Sequence, residues 1–402
     1  MKFLKASLAT ALVISTITFL TSAVAAVKPG DACRKLGSTS VNGNLKFTCV
    51  TSGKKLIWNR GSKVVSAIIT PAPKATPSQS PSPVATPTQV PEPFQPATFD
   101  DLIAHPESMS YWAWKRSSEQ IKNSTATAPE VVILLGPNTT LKRTKITEGI
   151  LAATRLYDSF TRPSKMNVIY FSFKDRAWAQ SQYAKFAINV RGSEAEEMCR
   201  DEYSCVNALS EIDLKGSGLF LVALGDSGRS DPNENSGTLE AHEFTHSIQA
   251  SQFIGTNREQ NSHCCFKRYV PHWMVEGGAE FAQAASIFPD SYVKYLSERK
   301  FDTQELLENK GGEFTTSWLE KFLDPDSMSM WNDQSNNWRI YDVGFLANEA
   351  FVALKGPSVS LQLHRDLALG ATWDEAFMKN FGMSWTEAAP KLAKVIKAQL
   401  AK

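Results

Sequence analysis

The chain has 402 residues, with 43 Lys and Arg against 41 Asp and Glu, so its formal net charge is +2. This near balance argues against nucleic acid as a partner, because proteins that bind nucleic acid usually carry a strong basic excess. The hydrophobic fraction of 42% is that of an ordinary globular chain, and the length favours more than one domain.

Residues 1–26 have the pattern of a secretory signal peptide. A basic start precedes an apolar run at residues 8–20, and residues 23–26 offer a small-residue cleavage site. The run is shorter than a typical membrane span, and an uncleaved anchor is the alternative. We therefore expect a secreted, extracellular protein whose mature chain has no transmembrane segment.

Residues 27–66 are predicted to form a small basic β module. Asn42-Gly43 lies between two short runs of strand-forming residues, which indicates a hairpin, and Cys33 is expected to pair with Cys49. The segment carries eight Lys and Arg residues against a single acidic residue. It resembles small modules attached to secreted Gram-positive bacterial proteins. That resemblance and the charge suggest weak contact with an anionic cell envelope; a folded spacer is the alternative.

Residues 67–96 differ in composition from the segments on either side. They contain nine prolines, mainly among Ser, Thr, Ala and Gln. Such a composition is too poor in apolar residues to form a core and favours extended states, so we expect a Pro-rich disordered linker. The remaining residues, 97–402, are expected to form the main domain.

The main domain changes character near residue 238. In its first part, 97–237, strands are predicted at 131–135, 166–173 and 219–224, with helices at 147–160 and 178–187. In its second part, 238–402, nearly every predicted element is a helix: 238–251, 273–281, 291–301, 316–322, 338–354, 358–369, 372–381 and 384–401. The predicted fold class is α+β, with an α/β lobe followed by a helical lobe.

The predicted helix at 238–251 contains an H-E-x-x-H motif, formed by His242, Glu243 and His246. Residues four apart lie on one face of a helix, so both imidazoles can bind one Zn²⁺ ion. Glu243, next along the turn, can then reach a metal-bound water. The alternative is an ordinary helix that carries two exposed histidines.

A second helical segment supplies the third protein ligand that a catalytic zinc site requires. It follows Pro271 and carries the run W-M-V-E-G-G-A-E-F, which begins at Trp273. Glu276 is the predicted ligand. Glu280 lies four residues later on the same face, where it could accept the other N–H of a metal-bound histidine. Glu280 could also replace Glu276 as the ligand, or be a plain surface residue.

The two motifs together resemble those of the gluzincin zinc peptidases, most closely their aminopeptidase-like branch. The resemblance implies a thermolysin-like catalytic domain, built of a sheet-containing lobe and a helical lobe. It implies one zinc ion per chain, with His242, His246 and Glu276 as ligands. It gives Glu243 the role of general base in the hydrolysis of a peptide or protein substrate.

A third motif is similar to one in the aminopeptidase-like branch, and two features of the chain differ from that branch. Tyr341 opens a Y-x-x-G run, similar to one whose tyrosine stabilises the oxyanion in that branch; a core tyrosine is the alternative. The gap between His246 and Glu276 is longer than usual. The G-x-M-E-N run that binds a substrate's amino terminus in aminopeptidases is absent, which favours an endopeptidase. Two other functions stay open: an inactive envelope-binding protein with a vestigial site, and a hydrolase of non-peptide amides or esters.

The six cysteines fit an oxidising compartment. Cys264 and Cys265 are adjacent, and neighbouring cysteines bond to each other only through a strained ring. We therefore expect each of them to bridge to Cys199 or Cys205, which would tie the insertion between the zinc ligands to the preceding lobe. A second metal site at His263, Cys264 and Cys265 is the alternative.

Overall fold

The chain divides into two compact units, Met1–Thr88 and Gln89–Lys402. The computed structural model describes residues 28–35, 38–42, 45–52, 55–60, 62–63, 92–187, 190–213, 216–225, 235–258, 268–308, 314–333 and 336–400. The predicted signal peptide lies outside the described residues, and so does the predicted linker up to residue 91.

The described part of the first unit is a small antiparallel sheet. Its strands are β1 (Thr39–Asn42), β2 (Leu45–Ser52), β3 (Lys55–Trp58) and β4 (Ser62–Lys63). β1 pairs with β2 in the register of the predicted hairpin, and β2 also pairs with β3 and β4. Cys33 and Cys49 form the predicted disulfide. Phe47 and Cys49 are buried, so the disulfide lies in the small core of this module.

The second unit contains a four-stranded sheet of β5 (Glu130–Leu135), β6 (Lys165–Phe171), β7 (Val206–Ile212) and β8 (Ser217–Leu224). The strand order is β5-β6-β8-β7, with the first three parallel and β7 antiparallel to β8. The three predicted strands are confirmed. β6 and β8 read as apolar runs because both faces of the sheet are covered. The edge strand β7 was not predicted, since its polar residues break the alternation of a half-buried strand.

In the part of the chain that the structure describes, five α-helices precede or cover the sheet: α1 (Phe99–Ala104), α2 (Glu107–Asn123), α3 (Ile146–Leu156), α4 (Arg176–Phe186) and α5 (Glu194–Met198). α4 and α5 pack on one face of the sheet, where Ile169 and Phe171 are buried. α3 packs on the other face, over Val168 and Tyr170. Helices α1 and α2 were not predicted, and their buried residues join the core of the helices that follow.

Among the described residues, nine helices follow the sheet: α6 (Thr238–Ser251), α7 (His272–Ile287), α8 (Tyr292–Glu308), α9 (Thr316–Leu323), α10 (Met328–Trp331), α11 (Arg339–Lys355), α12 (Ser358–Ala368), α13 (Trp373–Phe381) and α14 (Trp385–Gln399). All the helices predicted in this part are confirmed. α13 and α14 begin at capping boxes, in which Thr372 and Ser384 each bond the backbone three residues on. The fold class is α+β, as predicted.

Two glycines let α7 and α11 cross at very short range. A Cβ atom on Gly277 would lie 2.0 Å from the carbonyl carbon of Gly344, and one on Gly344 would lie 2.1 Å from the carbonyl oxygen of Trp273. No side chain fits at such distances, so glycine is required on both helices. The crossing brings Glu276, next to Gly277 on α7, close to the first turn of α11, which contains Tyr341.

The second disulfide corrects the predicted pairing. Cys199 bonds to Cys205. The prediction that Cys199 and Cys205 bridge to Cys264 and Cys265 is therefore wrong. The physical reason is a tight reversal between the end of α5 and the start of β7, which places the two cysteines next to each other. Cys264 and Cys265, and with them the alternative metal site at His263, lie outside the described residues.

Among the helices of the described residues, none is both long enough and apolar enough to cross a bilayer.

Candidate metal centre

Helix α6 is held between the sheet and α7, and this placement buries the H-E-x-x-H motif. Phe244 and Ile248 pack on the sheet side. His242 is 7% exposed, Glu243 6% and His246 9%. Polar groups at this depth are normally retained only where they have partners. The alternative of two exposed histidines on an ordinary helix is therefore wrong.

Three side chains from α6 and α7 converge on one point. The Nε2 atoms of His242 and His246 are 3.1 Å apart, and an oxygen of Glu276 lies 3.1 Å from His246 Nε2 and 3.9 Å from His242 Nε2. In a tetrahedral zinc site with bonds of about 2.0–2.1 Å, neighbouring ligand atoms lie about 3.3 Å apart. The donor set of two imidazole nitrogens and one carboxylate oxygen could therefore hold a metal ion with little movement.

Gln249, which was not among the predicted site residues, orients His246. The side-chain nitrogen of Gln249 donates to the carbonyl oxygen of Val275, 3.0 Å away. That carbonyl can only accept, so the amide oxygen of Gln249 must face the other way, where it lies 2.9 Å from His246 Nδ1. His246 Nδ1 therefore carries the proton and Nε2 presents its lone pair to the metal position. The only signal in the sequence is the i,i+3 spacing from His246 to Gln249 on one helix.

Glu280 faces Nδ1 of His242, the ring nitrogen that is not among the converging ligand atoms. Its Oε1 is 3.8 Å from His242 Nδ1, longer than a hydrogen bond, and its Oε2 accepts from Gln283. It faces the Nδ1 atom and not Nε2, so Glu276 completes the ligand group. Burial, with the nearby carboxylates of Glu276 and Glu298, raises the pKa of Glu280 to about 8. Glu280 is thus no plain surface residue.

Tyr341 from α11 completes the wall of the site. Its ring centroid lies 6.4 Å from that of His242, with the planes nearly parallel, and its hydroxyl donates a hydrogen bond to Glu276. Burial and the carboxylates of Glu276, Glu280 and Glu243 raise the pKa of Tyr341 well above its usual value. The hydroxyl therefore keeps its proton and can act as a donor.

Glu243 belongs to the same cluster. Its charge contributes to the raised pKa of both Glu280 and Tyr341, which places its carboxylate near each of them. The structure thus brings the predicted ligands His242, His246 and Glu276 together, with Glu243, Glu280 and Tyr341 near them. Comparisons with protein-family models, with curated proteins and with solved structures found no match. A functional assignment therefore rests on the geometry of this centre.

Proposed function

We propose that this protein is a zinc-dependent peptidase with a thermolysin-like, gluzincin-type catalytic domain. In this proposal His242, His246 and Glu276 bind one zinc ion per chain, and Glu243 is the general base. The observation that supports it most directly is the convergence of three ligand atoms, at distances close to those of a tetrahedral site. The two-His, one-carboxylate set is also the one found in hydrolytic zinc enzymes that keep a position open.

The side chains around the ligands have the roles that hydrolysis needs. A zinc ion bound there supplies Lewis-acid catalysis, by polarising a carbonyl and lowering the pKa of a water. Glu243 accepts a proton from the attacking water and passes it to the leaving amine. The hydroxyl of Tyr341 keeps its proton and donates a hydrogen bond to the oxyanion that develops on the substrate. An inactive binding protein would need neither Glu243 nor Tyr341, which supports the catalytic reading.

A peptide substrate is supported by the position of β7. Within the described residues this edge strand pairs on one side only, with β8. It contacts the metal-binding helix through Ser210, whose hydroxyl lies 2.9 Å from that of Ser247. An extended peptide can add to such an edge by main-chain hydrogen bonds. The lack of a G-x-M-E-N run supports cleavage within a chain and not from its amino terminus.

The proposed setting is extracellular. The disulfides Cys33–Cys49 and Cys199–Cys205 are compatible with an oxidising compartment. Within this proposal the basic module at 27–66 makes weak contact with an anionic cell envelope; the alternative is a folded spacer whose charge serves only its solubility.

The test is a digest of a mixed peptide library, read by mass spectrometry. The full chain loaded with zinc should cleave peptides, and a chelator should stop it. Glu243→Gln is the matched control: its amide cannot accept the water's proton, so it should keep zinc and lose turnover. Cleavage by this variant at the wild-type rate would refute the role of Glu243, and a zinc-loaded wild type that cleaves no peptide would refute the function.

A further inference from the structure

An exposed tryptophan stands beside the candidate site. Trp338 immediately precedes α11, three residues before Tyr341, so both lie on the same side of the helix. Their ring centroids are 5.8 Å apart, and the Tyr341 ring is in turn 6.4 Å from that of His242. Three rings thus lead from a predicted metal ligand to solvent.

The exposure of Trp338 is unusual in this chain. All ten tryptophans lie in the described ranges; nine are buried or half-buried, and Trp338 alone is exposed, at 69%. Folding gains little from a large ring left in water. Exposed tryptophan beside a cleft is, however, typical of binding sites, because its ring offers a large contact area at low conformational cost.

We propose that Trp338 binds a large apolar side chain of the peptide substrate, close to the scissile bond. This inference rests on the proposed peptidase function and names the kind of residue that its site selects. The Trp338 ring centroid is 5.8 Å from that of Tyr341, which is 6.4 Å from that of His242. The distance from the indole to the His242 ring cannot exceed the sum of these two spacings. An extended peptide advances about 3.3 Å per residue, so the indole is within reach of side chains a few residues from the cleaved bond.

The neighbours of Trp338 favour an apolar partner over a charged one. Arg339, the next residue, forms an ion pair with Asp342 one turn on, so the two charges nearest the indole in sequence offset each other. The Arg339 guanidinium also lies over the ring of Phe314. The large apolar surface exposed at this point is the indole of Trp338, and an apolar side chain gains most from covering it.

The experiment compares peptides that differ at one position, with Phe, Lys or Ala placed in turn at each of the three residues on either side of the cleaved bond. Trp338→Ala should lower kcat/KM about tenfold for the preferred Phe peptide, mainly through KM, and leave the Ala peptide nearly unchanged. Trp338→Phe should restore most of the loss. Zinc content should match wild type. Tyr203→Ala, which removes an equally exposed ring in the turn before β7, should have no effect.

Three results would overturn the inference. An equal loss for Phe and Ala peptides would mean that Trp338 acts only by supporting Tyr341. A loss seen with the Lys peptides and not with the Phe peptides would assign the ring to a cationic side chain, and unchanged kcat/KM values for all the peptides would leave it no role. The same preference can be measured as binding. Titration of the Phe and Ala peptides into the zinc-loaded Glu243→Gln variant, with and without Trp338→Ala, gives the Kd of each peptide. Wild type that binds the Phe peptide through Trp338 but cleaves nothing would count against the peptidase function alone.

Discussion

At the scale of single residues, Gln249 connects the two helices that carry the proposed metal ligands. Its amide bonds His246 at one end and the backbone of Val275, next to Glu276, at the other. The histidines and Glu276 were predictable because helical spacing and ligand chemistry are local in sequence. The role of Gln249 could not be predicted, because it depends on the position of the Val275 carbonyl on α7. Residue spacing within α6 carries no information about that position.

Replacing Gln249 should therefore weaken zinc binding without unfolding the protein. Gln249→Met keeps the length of the side chain but removes the acceptor for His246 Nδ1, so the Kd for zinc should rise about 10- to 100-fold. Gln249→Glu keeps an acceptor oxygen and should bind zinc more tightly than the Met variant. Competition with a chromogenic chelator measures both. Equal affinity of wild type and Gln249→Met would show that the hydrogen bond does not orient the ligand.

At the scale of elements, the crossing of α7 and α11 determines the shape of the site. Glycine in a helix interior is normally unfavourable by about 1 kcal/mol relative to alanine. Gly277 is retained because the two backbones meet there. Gly278, its neighbour, meets only side-chain atoms, at 3.2 Å from Gln249 and 3.4 Å from Asn348.

These two glycines make a matched pair of variants. Gly277→Ala should lower the free energy of unfolding by about 3 kcal/mol, because its Cβ would overlap the Gly344 backbone. Gly278→Ala should stay within about 1 kcal/mol of wild type, since the helix propensity gain offsets a mild contact. Urea denaturation of the metal-free proteins decides between them. If Gly277→Ala is as stable as Gly278→Ala, the close approach of the helices is incorrect.

The elements that the sequence did not predict share a cause. β7 has Ser210 and Glu211 in its middle, so no simple alternation marks it, and it becomes a strand by pairing with the apolar β8. The disulfide pairing failed for a similar reason. Four cysteines allow three connectivities, and the reversal that joins Cys199 to Cys205 is tertiary information. The long helices that follow the sheet were predicted from their apolar faces. The 17-residue helix α2 was missed, because four of its eight buried residues are serines and its apolar face is interrupted.

At the scale of the whole molecule, a buried histidine should make stability depend on pH. His364 on α12 is fully buried, and its Nδ1–H donates to the carbonyl of Ser360. Burial lowers its pKa from 6.5 to about 4. The unfolded chain therefore takes up the proton first as the pH falls. The stabilising contribution is present above pH 6.5 and is lost as the pH falls towards 4.

Between pH 7 and pH 5, the metal-free wild type should lose about 2 kcal/mol more stability than His364→Leu, which has no group to protonate. Denaturant unfolding of both proteins at the two pH values gives the difference, and other titrating groups cancel in it. Parallel losses in the two proteins would mean that His364 is not held neutral in the folded state.

The proposed mode of cleavage concerns the second unit as a whole. An aminopeptidase needs an acid near the metal to hold the substrate's ammonium group, since an unpaired charge in a closed site is costly. Without a recognisable run for that purpose, we expect cleavage within chains, at the same rate for acetylated and free peptides. Mass spectrometry of paired digests measures this. Stepwise loss of amino-terminal residues from free peptides only would contradict an endopeptidase.

The most direct test of the central claim is a crystal structure of the zinc-loaded protein, with anomalous diffraction recorded on both sides of the zinc absorption edge. We predict one strong anomalous peak per chain, about 2.0–2.2 Å from Nε2 of His242, Nε2 of His246 and a carboxylate oxygen of Glu276. A crystal in which zinc is bound elsewhere, or in which this position stays empty at saturating zinc, would contradict it.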